Sequence, residues 1–216
     1  MILSVTRSTM ASGQGIRQRS FSWKEVGVSH TWPDHLLSLA EWSELPRDPS
    51  HRMELVEGVL LVVPRATLLH QSAMHALCSM LKGQLPPGLH PVGDCEVVLT
   101  SGDGPGQLAT VRAPDVIVVP SELVRANRPR VDAADVRLAI EIHSPGTART
   151  DKVTKMFEYA DAGIPAYWLV DIDTPTTVTA YALVDGEYEL VADTADRLEV
   201  LTPFPVDIDV SAITEV

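Results

Sequence analysis

Cysteine and long apolar runs are scarce in this sequence, and their scarcity narrows the class of protein. The only cysteines are Cys78 and Cys95, too few for a disulfide-rich scaffold or a cysteine zinc motif. We expect two buried free thiols, with a disulfide between them as the alternative. No apolar run reaches the roughly 18 residues of a membrane span, and the first residues lack a signal-peptide core. A cytoplasmic location, away from membranes, is therefore expected.

Positive charge is also in short supply. Lysine and arginine number 17 against 29 aspartates and glutamates, which gives a net charge of −12 at pH 7. Such a chain does not attract polyanions over its whole surface, so any nucleic-acid groove would have to be local. Basic residues do cluster, in residues 125–137 and again in 149–155. Metal ions held by carboxylates would also reverse the charge that an approaching phosphate meets.

Several common catalytic motifs are missing. The glycine-rich stretch 102–106 fits neither the Walker nor the Rossmann phosphate-binding pattern, and no Gly-x-Ser-x-Gly nucleophile elbow occurs. The histidines at positions 70, 75 and 90 do not have the spacing of a zinc site. The chemistry therefore has to be sought in single acidic and basic residues placed on predicted strands and helices.

The periodicity of apolar residues predicts one folded domain over residues 31–216. Residues 1–30 are rich in Ser, Gly, Arg and Gln and predict a flexible N-terminal lead. The predicted elements are a helix from Ser38, a hairpin of 53–56 and 59–63, a helix at 66–85, strands at 96–100, 115–119 and 136–142, a helix at 150–162, a strand at 167–171, a hairpin of 177–183 and 188–191, a strand at 198–201 and a peripheral tail at 207–216. This order predicts an α/β fold with a mixed central sheet flanked by helices, with β-hairpin additions.

Two acidic residues stand out because of where they lie on the predicted strands. Asp115 begins one strand, and Glu141 interrupts the otherwise apolar run of the next strong strand. A charge inside such a run is costly unless a cation neutralises it. Neighbouring strands are about 4.8 Å apart, so the two carboxylates could share a cation. The alternative is that Asp115 caps a turn and Glu141 forms a structural salt bridge.

Lys155 supplies a positive group close to these acids. It shares one face of the predicted helix with Asp151 and Tyr159, and the helix follows directly after the Glu141 strand. A lysine that reaches back to the strand end can stabilise a phosphate or help to deprotonate a water. The alternative is a solvated lysine paired with Asp151.

His70 and Glu54 are weaker candidates. His70 lies in the first turn of a predicted helix and could approach the sheet, although a lone helical histidine is often structural. Glu54 faces away from its neighbours Met53 and Leu55 on a strand, and exposure to solvent would also explain it.

Taken together, these motifs resemble a known bacterial family. They are Pro114-Asp115, Glu141-Ile142-His143-Ser144-Pro145, Asp151-x-x-x-Lys155-x-x-x-Tyr159-x-x-Ala162-Gly163 and Tyr167-Trp168-Leu169-Val170-Asp171. The upstream Glu54-Leu55-Val56-Glu57-Gly58 and His70 fit the same pattern. Over about residues 36–210 the sequence resembles the Uma-type endonucleases of the PD-(D/E)XK superfamily.

The resemblance implies a restriction-endonuclease-like domain with a site for Mg²⁺ or Mn²⁺. The implied metal ligands are Asp115, Glu141 and the main-chain carbonyl of Ile142. It also implies that the catalytic lysine has moved from the strand to the helix, at Lys155. The usual lysine position, two residues after the acid, holds His143, and whether His143 takes part is open.

The function that follows is metal-dependent hydrolysis of DNA phosphodiester bonds. The alternative is a non-catalytic module on the same fold that binds nucleic acid or protein, since a fold does not dictate an activity. A homodimer is expected because nucleases that cut both strands commonly work as dimers.

Overall fold

Two mixed sheets form the frame of the molecule. The structure, a computed structural model, describes residues 33–46, 51–64, 66–104, 106–143 and 149–215. The predicted N-terminal lead and the Ser144-Pro145 turn lie outside these residues. No helix within the described ranges is long and apolar enough to cross a membrane.

The helices and strands follow one another in this order: α1 Leu39–Glu44, β1 His51–Val56, β2 Val59–Pro64, α2 Leu68–Lys82, β3 Leu89–Gly93, β4 Glu96–Thr100, β5 Thr110–Arg112, β6 Val116–Pro120, α3 Ser121–Arg125, β7 Arg130–Asp132, β8 Leu138–His143, α4 Arg149–Asp161, β9 Ala166–Asp171, β10 Thr177–Val184, β11 Glu187–Thr194, β12 Arg197–Val200 and β13 Val206–Asp209. Short 3₁₀ turns lie at Ala133–Asp135 and Ser211–Ile213.

The larger sheet has six strands in the order β11-β10-β9-β8-β6-β3. Only β8 and β9 run parallel in it, and the other neighbours are antiparallel. The second sheet has the order β2-β1-β5-β4-β7, and β12 pairs with β13. The predicted α/β fold with a mixed sheet and added hairpins is confirmed.

Local sequence signals explain the first elements. Ser38 and Glu41 form the capping box of α1: the Glu41 N–H donates to Ser38 Oγ, and the Ser38 N–H donates to Glu41 Oε2. At the turn between β1 and β2, Glu57 and Gly58 both have positive φ, of 48° and 74°. A Cβ at Gly58 would lie only 3.0 Å from Leu36 Cβ, so both the turn and the packing favour glycine.

The six-stranded sheet is covered on both faces. On one face, Ala73, Leu77 and Leu81 of α2 pack against alternate residues of β6 and β8. On the other face, Tyr159 of α4 packs against a set that includes Ile117, Ala139 and Tyr167. Because strand side chains alternate between faces, Glu141 lies on the same face as Ala139, which is the face that α4 covers.

Some predictions about the fold were wrong. The tail at 207–216 is not peripheral, because β13 pairs with β12 and Ile208, Val210 and Ile213 are buried in the main core. Cys78 and Cys95 are free as expected, but each is only partly buried. Sequence periodicity also missed β3, β5, α3 and β7, of which two are only three residues long and β3 contains a proline at the sheet edge.

Candidate active site

Asp115 and Glu141 lie side by side where β6 begins and β8 ends. The antiparallel register pairs Val116 with Ile140, which makes Asp115 and Glu141 the next residues along the two strands. Both residues are almost fully buried, with 3% and 4% of their surface exposed. Two adjacent carboxylates in a buried position require positive partners, and the surrounding elements supply them.

Asp115 has three nitrogen atoms close to its carboxylate. Arg52 Nη1 of β1 lies 2.6 Å from Oδ1, and His70 Nε2 of α2 lies 3.0 Å from the same oxygen. The main-chain N–H of Ile142 donates to Oδ2 at 2.7 Å. Burial opposes ionisation of Asp115, but the contact with His70 and the charge of Arg52 outweigh it and hold its pKa well below the usual range.

Glu141 has a different set of partners, from α4. Lys155 Nζ lies 3.1 Å from each of its carboxylate oxygens, and the Tyr159 hydroxyl donates to Oε1 at 2.6 Å. Burial raises the pKa of Glu141, and Asp115 raises it further while Lys155 opposes the shift. Burial and the neighbouring Glu141 raise the pKa of Tyr159 as well, so its hydroxyl remains a neutral donor.

Glu54 joins the second sheet to this site. Its Oε1 lies 3.2 Å from Lys155 Nζ and accepts the N–H of Ala113, while its Oε2 accepts Arg112 Nη1 at 2.7 Å. Burial opposes ionisation, but Lys155 and Arg112 lower the pKa of Glu54 to about 2. Glu54 does face away from the core of its own sheet, as predicted, but that face meets α4 rather than solvent.

Arg112 on β5 connects helix α4 with strand β1 through ion pairs. It donates two parallel hydrogen bonds to Glu158 of α4, from Nε at 2.6 Å and from Nη2 at 2.8 Å. With only 2% of its surface exposed, Arg112 bridges Glu158 and Glu54 in a buried position. Paired charges of this kind are retained in a protein interior only when both ends are satisfied.

The remaining candidates also lie at this site. Lys155 is 7% exposed and bound to two carboxylates, so it is not a solvated surface lysine. His70 is 8% exposed in the first turn of α2, which Thr67 caps. His143 follows Glu141 by two residues on the same face of β8 and is 4% exposed. A role for His143 in the chemistry stays a prediction.

Sequence reasoning missed Arg52, Arg112 and Glu158. Arg52 alternates with the apolar Met53 on a short strand, and Arg112 ends a strand of three residues. The only signal in the sequence is this alternation, which equally fits a solvated strand face. Their roles depend on pairing between strands that are far apart in the chain.

The backbone of Ile142 also turns towards Asp115. The next residue, His143, directs its carbonyl to the β9 side, where the N–H of Ile172 donates to it at 3.1 Å. The N–H and C=O of one strand residue point to the same neighbour. Since the N–H of Ile142 donates to Asp115, its carbonyl is directed to the Asp115 side as well.

The donors present are of the type that a hard divalent cation takes. A carboxylate offers about four lone-pair positions, and the described contacts use three at Asp115 and three at Glu141. At least one position therefore remains at each carboxylate. Among the described residues, no three His, Cys, Asp or Glu side chains form a ready-made metal site. A cation would therefore rest on these two carboxylates, the carbonyl and water, which is a set that Mg²⁺ or Mn²⁺ accepts.

The charges around the two acids nearly cancel. We define the site cluster as the residues joined by Lys and Arg ion pairs of 3.2 Å or less, which are Arg52, Glu54, Arg112, Asp115, Glu141, Lys155 and Glu158. Its four carboxylates face three cationic side chains, and the exposed Asp94 lies outside it, 3.7 Å from Arg52.

Comparisons with known proteins show the fold and the family of this chain. A crystal structure titled as a "putative nuclease belonging to DUF820" from Anabaena variabilis ATCC 29413 superimposes with a TM-score of 0.62 at 19% sequence identity, over 82% of this chain and 97% of that chain. At this identity the match shows a shared nuclease-like fold.

The family itself is shown by the sequence. The model of the Uma2 family, described as "Putative restriction endonuclease", matches residues 39–212. The chain belongs to this family, and the predicted relationship is confirmed. A comparison with curated proteins gives no match. Family and fold together support a nuclease-type function.

Proposed function

We propose that this protein is a metal-dependent endonuclease that hydrolyses phosphodiester bonds in DNA. The observation that carries the proposal is the pair of buried carboxylates, Asp115 and Glu141, side by side on β6 and β8 with Lys155 bound to one of them. The names of the family and of the structural neighbour point in the same direction.

Asp115, Glu141 and the main-chain carbonyl of Ile142 would hold the cation. When bound, Mg²⁺ or Mn²⁺ supplies a Lewis acid that polarises the phosphodiester and lowers the pKa of the attacking water. Asp115 is oriented for this task by the hydrogen bond that the Ile142 N–H donates to its Oδ2. Glu141 is oriented by the Tyr159 hydroxyl.

Lys155 would act on the phosphate. Its ammonium group makes a forked contact with the two oxygens of Glu141 and a third contact with Glu54. One N–H of the fork can turn to a non-bridging phosphate oxygen while the others keep the side chain in place. A fixed positive charge there stabilises the charge that builds up on the phosphate during attack.

The test is cleavage of plasmid, linear and single-stranded DNA with Mg²⁺, Mn²⁺ or EDTA. We expect cleavage with either metal ion and none with EDTA. Asp115→Asn and Glu141→Gln should each lower the rate at least about a hundredfold, since even outer-shell changes at metal sites cost 10–100-fold. Glu187→Gln, on the exposed end of β11, is the matched control and should cut normally. Cleavage that survives both site variants would refute the assignment.

A non-catalytic binding module is the second candidate. Two observations favour it: the net charge of −12, and a site cluster whose acids already have partners in the protein. A mobility-shift assay run beside the cleavage assay separates the two functions. Binding of duplex DNA without cleavage, in either metal ion, would select the module.

The number of DNA strands cut in one binding event indicates whether the protein acts as a monomer or as a dimer. If the enzyme works as a homodimer, plasmid should be linearised in one binding event rather than accumulate as a nicked circle. Light scattering of the free protein should then give twice the mass of the 23.5 kDa chain.

A further inference from the structure

Arg52 is the one cation of the site cluster that is only partly committed. Its Nη1 donates to Asp115 at 2.6 Å, but its Nε and Nη2 are buried and have no hydrogen-bond partner in the described structure. Lys155 and Arg112 each bind two carboxylates at 3.2 Å or less, whereas the second carboxylate near Arg52, that of Asp94, lies 3.7 Å from Nε, beyond hydrogen-bond distance. Buried donors without partners are costly and are rare in folded proteins. A guanidinium with two unused donors is suited to a planar or tetrahedral oxyanion.

One side of the Arg52 side chain faces an exposed residue. Asp94, whose side chain is 55% exposed, lies with its Oδ1 3.7 Å from Arg52 Nε. The main-chain N–H of Asp94 donates to the carbonyl of Asp115 at 3.0 Å, which keeps the two acids next to each other. Arg52 therefore lies between a buried carboxylate and an exposed one, with 21% of its side chain exposed.

The charge balance gives Arg52 a direct effect on cation binding. Arg52 places a positive charge beside Asp115, which repels a divalent cation at that carboxylate and attracts a phosphodiester. Without Arg52 the cation would meet less repulsion, and the phosphate would lose a positive neighbour. Arg52 thus disfavours a cation alone and favours a cation together with a phosphate.

We infer that Arg52 alternates between two partners: Asp115 in the free protein, and a substrate phosphate once a divalent cation is bound. This inference rests on the proposed metal-dependent function and adds a substrate-binding residue to it. The guanidinium stands in for the cation at Asp115 until the cation arrives. It then offers Nε and Nη2 to the oxygens of the phosphodiester.

The inference predicts opposite effects of one substitution, which a merely structural role would not produce. Arg52→Gln should bind Mn²⁺ at least about tenfold more tightly than the wild type, because a competing charge is lost. It should bind a short fluorescein-labelled DNA duplex at least about tenfold more weakly, because a phosphate contact is lost. Free Mn²⁺ is measured by electron paramagnetic resonance, and duplex binding by anisotropy with Ca²⁺ in place of Mg²⁺, after a gel has shown that the duplex is intact.

Arg130→Gln is the matched control. Arg130 has a similar exposure of 17%, donates to Ser43 at 2.8 Å and lies 3.5 Å from Glu96, and neither contact involves a residue of the site cluster. It should change neither affinity by more than about twofold. If Arg130→Gln reproduces the two opposite shifts, the effect is one of overall charge, and the inference is wrong.

Arg52→Gln could fail to fold, and thermal unfolding would reveal this. A second variant at the same position keeps the inference testable in that case. Arg52→Lys keeps the charge near Asp115 but loses the planar guanidinium. It should leave Mn²⁺ affinity within about threefold of the wild type and weaken duplex binding at least about fivefold. Equal losses of both affinities in Arg52→Gln, or unchanged duplex binding in Arg52→Lys, would overturn the inference.

Neither the Mn²⁺ measurement nor the duplex measurement depends on cleavage. The role of Arg52 and the endonuclease function can therefore be refuted independently. Opposite shifts in a protein that never cuts DNA would support the role of Arg52 and refute the endonuclease. Cleavage by the wild type without the opposite shifts would do the reverse. A wild type that binds neither Mn²⁺ nor the duplex would refute both.

Discussion

Lys155 on α4 contacts Glu141 on β8 symmetrically, with Nζ 3.1 Å from each carboxylate oxygen. The same nitrogen lies 3.2 Å from Glu54 on the second sheet. One ammonium group therefore connects a helix with both sheets of the molecule. The candidate chemistry and the stability of the fold depend on the same buried charge.

Replacement of Lys155 by methionine should lower both the stability of the fold and the DNA cleavage activity. Two carboxylates would lose their shared cation, and breaking a buried pair in this way typically costs about 3–5 kcal/mol. We expect a free energy of unfolding lower by that amount in urea titrations, together with loss of DNA cleavage. Lys155→Arg is the control and should regain most of the stability. A Lys155→Met protein that unfolds at the same urea concentration as the wild type would contradict the buried contact.

Tyr159→Phe should show how much the orientation of the Glu141 carboxylate matters, because it removes a hydrogen bond to Glu141 and leaves the carboxylate itself in place. The change removes a 2.6 Å hydrogen bond to Glu141 and leaves the ring packed 5.6 Å from Tyr167. We expect a loss of about 1–3 kcal/mol in stability and a weaker affinity for Mn²⁺, measured by isothermal titration calorimetry. Tyr188→Phe is the matched control, since its hydroxyl donates to the Ile164 carbonyl instead. That variant should lose stability and keep the Mn²⁺ affinity of the wild type.

The sequence predicts those parts of the site that local patterns encode. Glu141 is conspicuous because it interrupts an apolar strand, Asp115 because it starts one, and Lys155 because helix periodicity turns it back to the strand end. The capping box at Ser38 and the Glu57-Gly58 turn are local in the same sense, and both are confirmed.

The rest depends on pairing that no local pattern encodes. Arg52 reaches Asp115 across 63 positions in the chain, and Arg112 reaches Glu54 across 58. Both contacts depend on the position of β1, and its pairing with β5 brings Arg112 next to Glu54. The three-residue strand β5 has too few residues to show alternation. The tail joins the core through β13, whose alternation of Val206 and Ile208 with two aspartates spans only four residues. Tertiary packing decides such elements.

Arg112 and Glu158 should prove strongly coupled. Arg112→Met leaves Glu54 and Glu158 without their shared cation and should lower the free energy of unfolding by about 3–5 kcal/mol. Glu158→Gln keeps one hydrogen-bond acceptor and should cost less. A double-mutant cycle should give a coupling energy of about 0.5–3 kcal/mol. Additive effects in the cycle would show that the two parallel hydrogen bonds do not form in solution.

The free energy of unfolding should depend on pH because of the ionisation of Glu54. Burial opposes its ionisation, but Lys155 and Arg112 lower its pKa from 4.5 to about 2. A carboxyl whose pKa is lowered on folding stabilises the protein when ionised, so its contribution is complete above about pH 4.5 and is lost as the pH falls towards 2. A shift of this size corresponds to about 3 kcal/mol at neutral pH. The measurement is urea unfolding of the wild type and Glu54→Gln at a series of pH values. Their difference in stability should be largest at neutral pH and shrink in that acidic window, whereas the exposed Glu187→Gln should follow the wild type throughout. A difference that stays constant down to pH 2 would mean that Glu54 is not held ionised by its two cationic neighbours.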